Sequence, residues 1–444
     1  MKDRIDRRSF LRVGVSALAG GTIALRNRAG ANDGPDRPNI ILIMADDLGY
    51  GDISCYGGWV QTPNIDALAA GGMRFTDYHS NGPVCSPTRA ALLTGRYQQR
   101  CGIDEVVYAN GPARETGMPL KETTFAEVLK RHGYVTGLFG KWHLGYKVEF
   151  NPTEQGFDEF VGYVSGNVDY HTHIDQAGID DWWKDAEKVP EEGYVTDLIT
   201  NHAVDFLHRH KDEAFCLYLP HEAPHYPYQG RHDPPERLPG GGKGRKAKGA
   251  EIKRAYHQMV EIMDQSVGRV LKTVKALGLE RQTFIVFCSD NGATKSGSNG
   301  PMHGFKGSLW EGGHRVPAIA YWPGKIEPGA VCRQTVLGMD LLPTLAAVAN
   351  VKLPATLRLD GVNVLPALTR QRQLGERTLF WAYRNQRAVR KGPWKLLIQG
   401  DQTRLFDLAE DLGEQNDLAP AKPDIVVALR AELNAWEHDV ATAS

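Results

Sequence analysis

Apolar and polar positions fall into two repeating patterns along this chain. After Asn39 the run "NIILIMADD" is apolar for six residues and then acidic, the pattern of a parallel strand buried on both faces. "TPNIDALAAGG" predicts a short helix, with Thr62 as cap, Pro63 in the first turn and Gly71 at the stop. "TTFAEVLKRHG" predicts another, opened by a capping box of Thr124 and Glu127 and stopped at Gly133. The strand "YVTGLF" follows, then "GKWHLG". A helical pattern over 196–208 leads to the strand "AFCLYL" and then "PHEAPHYP". A longer one over 255–277 places Met259, Ile262, Met263, Val267, Val270, Leu271 and Val274 on one side, and leads to "TFIVF" and then "CSDNG". This alternation predicts an α/β fold, a large mostly parallel sheet sandwiched by helices.

In such a sheet ligands bind beyond the carboxyl ends of the strands. Four predicted strands deliver chemistry to that edge: Asp46 and Asp47, Lys141 and His143, His221 and His225, Asp290 and Asn291. The Gly/Pro-rich, basic segment 231–254 reads as a surface loop, with a lid over an anionic substrate as the alternative. From about Gln373 the pattern changes. "RAVRKGPWKLLIQ" and "TRLFDLAEDLGEQNDLA" predict antiparallel strands joined by "GDQ", then a final helix over 425–436, together a small C-terminal α+β domain.

The N-terminus departs from this pattern. Arg7 and Arg8 precede Phe10, Leu11 and a short apolar run over 13–25 that is too brief and Gly-rich to span a membrane. With "AGA" at 29–31 as a cleavage site, it resembles a twin-arginine export signal, which implies a periplasmic or secreted protein. The domains expected are therefore 1–31 (signal), 32–372 (main domain) and 373–444 (C-terminal domain).

Composition narrows the function classes. With 52 Lys+Arg against 53 Asp+Glu the formal charge is −1, so no global field recruits nucleic acid or a membrane surface. The six cysteines include no C-x-x-C pair, which argues against zinc or iron–sulfur ligation. Cys216 and Cys288 lie in apolar strand runs and read as packing residues, and an exported chain could pair Cys55 with Cys101. Asp46, Asp47, Asp290 and Asn291 offer only oxygen ligands, a set that suits Ca²⁺ or Mg²⁺. Arg89, Lys141, Lys306 and nearby imidazoles could surround a tetrahedral anion, with amide donors from a helix opening near Pro87. A hard cation beside such a cluster suits a sulfate or phosphate ester.

Cys85 stands apart in "GPVCSPTRAALLTGRY", among prolines, polar residues and an arginine. "CSPTRAALLTGR" resembles the C-x-P-x-R signature of the formylglycine-dependent sulfatases, in the alkaline-phosphatase-like superfamily. "GKWHLG", "MADDLGYGD", "APHYP", "SDNG" and "GFKGSLWEGGHRVP" resemble its other blocks, in the family's order. Thr88 departs from the serine more frequent there. The resemblance implies that a formylglycine-generating enzyme converts Cys85 to formylglycine (3-oxoalanine), whose hydrate attacks sulfur. It implies a Ca²⁺ held by Asp46, Asp47, Asp290 and Asn291 and touching the Cys85 product, with Mg²⁺ the lesser candidate. Arg89 and His143 would hold the hydrate; Lys141, His225 and Lys306 would hold sulfate and the leaving oxygen. The block A-P-H-x-P favours His225 over His221.

His171, His173, Asp175, Trp182 and Trp183 lie close together and suit sugar rings, so the expected substrate is a carbohydrate sulfate ester. Two rivals remain: a phosphonate or phosphate ester hydrolase of the same superfamily, and a sulfated-glycan-binding protein in which Cys85 stays unmodified.

Overall fold

The computed structural model describes residues 37–370 and 372–442; the expected export signal lies outside them. Four parallel strands form the centre of the main sheet: β1 (Asn39–Ala45), β2 (Val135–Lys141), β3 (Phe215–Pro220) and β4 (Thr283–Ser289), in the spatial order β4-β1-β3-β2. The sheet has ten strands in all. Beyond β2 lie Glu159–Tyr163, Trp183–Lys184 and Glu187–Lys188; beyond β4 lie Ala318–Tyr321, Met73–Phe75 and Ala330–Cys332. The centre is parallel as expected, while antiparallel pairs appear toward both edges.

Because strand side chains alternate, β1 feeds two cores. Ile40, Leu42 and Met44 pack with Leu92, Phe125 and Leu345 on one face. Ile41, Ile43 and Ala45 pack with Ile65, Leu198 and Met259 on the other. The first face is covered by α2 (Cys85–Thr94) and α3 (Phe125–Lys130), the second by α1 (Pro63–Gly71), α4 (Val195–Arg209) and α5 (Ala250–Ala276). Both faces of β1 are therefore dry, and its run of apolar residues needs no polar partner.

The helix ends show where local signals held. The capping box on α3 forms: the Glu127 N–H donates to Thr124 Oγ1 at 3.1 Å, and the Thr124 N–H donates to Glu127 Oε2 at 2.9 Å. The helix stops at Lys130, and Gly133 takes φ +80° in the turn beyond. Thr62 occupies the cap position of α1 but its side chain does not cap. Asp264 on α5 does so instead, accepting from the Asn64 and Ile65 N–H groups at 3.0 and 2.8 Å. Helix α5 starts at Ala250 and so absorbs the end of the basic segment; Leu271 stays half-exposed. The rest of that segment carries a small ladder, Arg237–Leu238 with Gly242–Lys243, anchored where Asp169 accepts from the Glu236 and Arg237 N–H groups.

The C-terminal part is a four-stranded antiparallel sheet of Thr378–Tyr383, Gln386–Lys391, Trp394–Gln399 and Gln402–Asp407, followed by the helix Pro423–Thr442. Its first strand had no separate sequence signal. It shares one apolar cluster with the main body, in which Trp381, Leu396 and Trp436 meet Val84, Ala91 and Leu337. A buried polar seam runs beside that cluster. Lys395, fully buried, pairs with Glu311 and Glu414 at 2.8 Å each, and Arg390 forks onto Asp77. All six cysteines are free, so the Cys55–Cys101 pairing that an exported chain could make is not formed; Cys101 is buried and faces Thr94 and Glu122 instead.

Removing one member of a buried ion pair leaves the other uncompensated. Lys395→Met should cost about 3–5 kcal/mol in denaturant unfolding, whereas Thr124→Ala, which removes one cap, should cost about 1 kcal/mol.

Candidate active site

The strand ends meet as the topology requires. Ala45 on β1 stands in register with Ser289 on β4, and the Asp290 N–H donates to the Ala45 carbonyl, so Asp46 and Asp290 leave the sheet side by side. Asp47 then takes φ +63°, a left-handed turn that brings a second consecutive acid inward. Its N–H donates to Asp290 Oδ1 at 3.2 Å. His143, two residues beyond β2, takes φ +60° for the same purpose. Such backbone costs of order 1–3 kcal/mol each and persists only where the surroundings over-determine it.

Helix α2 opens at Cys85, two residues earlier than Pro87, and is buried along its whole length. Cys85 and Arg89 lie one turn apart and share a face. Cys85 Sγ lies 3.6 Å from Asp46 Oδ1, and Lys306 Nζ lies 3.4 Å from the sulfur. Arg89 donates to Asp46 Oδ2 at 3.3 Å, to Asp290 Oδ2 at 3.0 Å and to the Lys141 carbonyl at 3.0 Å. The Lys141 ammonium pairs with Asp46, and Lys306 pairs with Asp47 Oδ1 at 2.6 Å. His225 Nε2 faces Asp47 Oδ2 at 3.6 Å. Asn291 Nδ2 donates to Asp47 Oδ1 at 2.8 Å, while its Oδ1 is buried with no hydrogen-bond partner. Ligand atoms of Asp46, Asp47, Cys85 and His225 all lie within 4.8 Å of one another.

Burial and charge set the protonation states together. Burial, aided by Asp46, pushes the Cys85 thiol up to about 12, against the lowering pull of Lys141 and Lys306. Burial opposes ionisation of Asp47, but Lys306 and His225 hold it below the usual carboxylate range. Burial works against the Lys306 and Lys141 charges, yet the acids keep both ammonium groups above their ordinary value. Burial and the neighbouring cations push His143 well down and His225 down to about 4. An orphaned amide oxygen beside three carboxylates is a donor set for a hard divalent cation. The cations around it fit an anionic group.

Direct contacts link Asp46, Asp47, Cys85, Arg89, Lys141, His225, Asp290, Asn291 and Lys306, and His143 lies near enough to feel the Lys141, Arg89 and Lys306 charges. His221 is close in sequence but lies deeper: it is fully buried against Ser266 Oγ at 3.2 Å, and burial lowers it to about 3. The expected sugar-binding set is not a surface. Trp182 and Trp183 are buried; Trp182 stacks on His173 at 4.5 Å, and Asp175 accepts from Arg114 inside the fold. Packing against their own loop consumes those aromatic faces. Asp52 carried no separate signal, yet it organises the site's edge. Its carboxylate accepts from the Gly49 N–H at 2.7 Å, Trp59 Nε1 at 2.8 Å and the Ser298 N–H at 2.8 Å, and from Tyr256. Burial raises it to about 6 against those donors.

An acidic set with an orphaned amide oxygen, beside a cationic cradle at the carboxyl edge of a parallel sheet, suits the hydrolysis of an oxyanion ester. The chain belongs to the sulfatase family, whose model matches residues 38–351. A second model, N-sulphoglucosamine sulphohydrolase C-terminal, matches residues 303–439. The chain is 36% identical to human arylsulfatase A, over 88% of this chain and 86% of that protein. It is 34% identical to mouse N-acetylgalactosamine-6-sulfatase, over 81% of this chain and 72% of that protein. Among solved structures it is similar to Ps i-CgsB in complex with k-i-k-neocarrahexaose, with TM-score 0.80 and 30% identity, over 90% of this chain and 92% of that one. The phosphonate monoester hydrolase of Agrobacterium radiobacter shares the fold, with TM-score 0.68 at 20% identity, over 91% of this chain and 96% of that one.

Arg89 bridges two acids and a carbonyl through one planar fork, which a lysine cannot do. Arg89→Lys should lose about 3 kcal/mol of stability and most activity. Arg131→Lys, an exposed i,i+4 pair, should lose less than about 0.5 kcal/mol. Denaturant unfolding of both variants checks this.

Proposed function

We propose that this sulfatase acts on a carbohydrate sulfate ester, through a formylglycine made from Cys85 and with a bound Ca²⁺. One observation carries the reading: Cys85 Sγ stands between Asp46 at 3.6 Å and Lys306 at 3.4 Å, at the meeting point of the acidic and cationic sets. Asp46, Asp47, Asp290 and Asn291 would hold the ion, which supplies Lewis-acid polarisation of a sulfate oxygen when bound. Formylglycine, introduced by a formylglycine-generating enzyme during maturation, supplies the attacking oxygen as its hydrate.

The remaining work belongs to this chain's side chains. Arg89, fixed by three acceptors, orients the group that Cys85 carries. His143 Nε2–H donates to the Val107 carbonyl at 3.1 Å, which leaves Nδ1, buried and without a partner, as the nitrogen that carries the lone pair. In this reading that nitrogen would take a proton from the hydrate as sulfate leaves. Lys141 and Lys306 offset the charge of a sulfate oxygen. His225 is oriented by the contact of Nδ1 with the Tyr226 carbonyl at 2.7 Å, leaving Nε2 to serve the departing alcohol.

The carbohydrate assignment draws support from two sides. The relatives include an N-acetylgalactosamine-6-sulfatase, and the structure similar at 30% identity holds a neocarrahexaose. In this chain a groove of about 500 Å³ includes Trp59, Lys253, Lys295, Ser296 and Ser298. Its lining comes from the segments between β1 and α1 and after β4 and from the start of α5, and Trp59 and Ser298 share the Asp52 carboxylate. Aromatic, cationic and hydroxyl groups together suit a sulfated sugar. The paired arginines of the N-terminus support export to the periplasm or beyond.

Three measurements test the reading. The tryptic peptide containing Cys85 should be about 18 Da lighter than its thiol form. Cys85→Ala should retain less than about one part in a thousand of the activity, and an unmodified, inactive wild type would instead indicate a binding protein. A panel of sulfated sugars should be turned over, and turnover of aryl sulfate alone would overturn the carbohydrate assignment. The pH profile adds a check on His225. Its imidazolium form is lost as pH rises through about 4 in the free protein. A bound sulfate favours the cation and raises that value. The basic limb of kcat should therefore lie at higher pH than that of kcat/KM; coincident limbs would move the proton-donor role to Lys306.

A further inference from the structure

The loop that carries Lys306 is held in large part by the C-terminal sheet. Gln386 opens the second strand of that sheet and brackets the lysine. Its Oε1 accepts from the Leu309 N–H at 3.0 Å, and its Nε2 donates to the Gly307 carbonyl at 3.0 Å. Gln399, its register partner on the next strand, donates from Nε2 to Gln386 Oε1 at 3.1 Å. Arg404 in turn donates to Gln399 Oε1 at 3.2 Å. Three strands thus present one polar ladder that ends on the Lys306 loop.

On its other side the loop ties to the catalytic segments. The Lys306 N–H donates to the Ala293 carbonyl at 3.0 Å, two residues beyond Asn291. The Gly307 N–H donates to the Pro83 carbonyl at 2.9 Å, two residues before Cys85. Leu309 anchors the loop in the shared apolar cluster, whereas nearer the lysine Phe305 is 38% exposed and Gly307 takes φ +84°. The segment at Lys306 and Gly307 is therefore held by hydrogen bonds, with packing entering at Leu309. The second family match begins at residue 303, so the Lys306 loop and the sheet that holds it fall within one matched unit.

We propose that Gln386 is a positioning residue for Lys306, and that its amide sets the place of the ammonium between Cys85 and Asp47. The inference rests on the reading above, in which Lys306 faces the sulfate ester. Gln386 itself makes no contact with the acids or with Cys85. It acts on a long, flexible stem, and a displacement of about 1 Å at a reacting group can cost up to about a hundredfold in rate.

The test is a double-mutant cycle on mass-verified, Ca²⁺-loaded protein with 4-nitrophenyl sulfate and a sulfated monosaccharide. Gln386→Leu should lower kcat/KM about tenfold in the wild type and less than about twofold in Lys306→Ala. An equal loss in both backgrounds, or none in the wild type, overturns the inference while leaving the sulfatase reading intact. Full activity of Lys306→Ala overturns the role of Lys306 itself. Gln386→Glu keeps the acceptor for Leu309 and removes the donor to Gly307, so it serves if the leucine variant does not fold. A crystal structure of Gln386→Glu should show Lys306 Nζ displaced relative to wild type in the same crystal form, with Arg89 unmoved. An unmoved lysine overturns the inference.

Discussion

The structure depends on burying three carboxylates together. Asp46, Asp47 and Asp290 are almost fully excluded from water and belong to two adjacent strand ends. Like charges so placed would protonate or push the chain apart unless compensated. Arg89, Lys141 and Lys306 compensate them, each arriving from a different segment of the chain. The arrangement cannot form until β1, β2, β4, α2 and the Lys306 loop are all in place. The acids and cations are therefore a folding constraint and a chemical device at once. A substrate sulfate and a divalent cation would each find an opposite charge already oriented, so little reorganisation accompanies binding.

The backbone supports this at two strained points. Asp47 and His143 both occupy the left-handed region immediately past a strand. Strand alternation would point consecutive side chains to opposite faces, and the turn cancels that alternation where two neighbours must converge. Asp52 fixes the turn after β1 by collecting donors from its own loop, from Trp59, from Tyr256 and from the loop after β4. The same carboxylate thus joins the acidic set to the wall of the outer groove.

The C-terminal sheet completes the site from the side. It meets the main body through an apolar cluster and a buried charged seam, both inaccessible to water. Trp381 Nε1 donates to the Ser80 carbonyl at 2.9 Å, close to the start of the Cys85 helix, as Gln386 grips the Lys306 loop. Two sheets with different architecture therefore converge on one candidate site.

The sequence by itself determined the strand–helix alternation, because runs buried on both faces read as unbroken apolar stretches. It also marked the chemistry of the edge, since Asp46, Asp47, Lys141, His143, Asp290 and Asn291 follow strands directly and Cys85 and Arg89 lie one helical turn apart. His225 also follows a strand, but only the resemblance favoured it over His221, and Lys306 stood out by charge alone, because a loop of its own separates it from any strand. Tertiary structure decided what local pattern cannot carry. Asp264 caps a helix about 200 residues away in place of Thr62. Cys55 and Cys101 stay apart, His221 sinks into the core, and Trp182 and Trp183 turn inward where the sequence suggested a sugar platform. In each case the deciding energy is a long-range contact, burial or a distant hydrogen-bond partner, and such terms are set by which segments fold against one another.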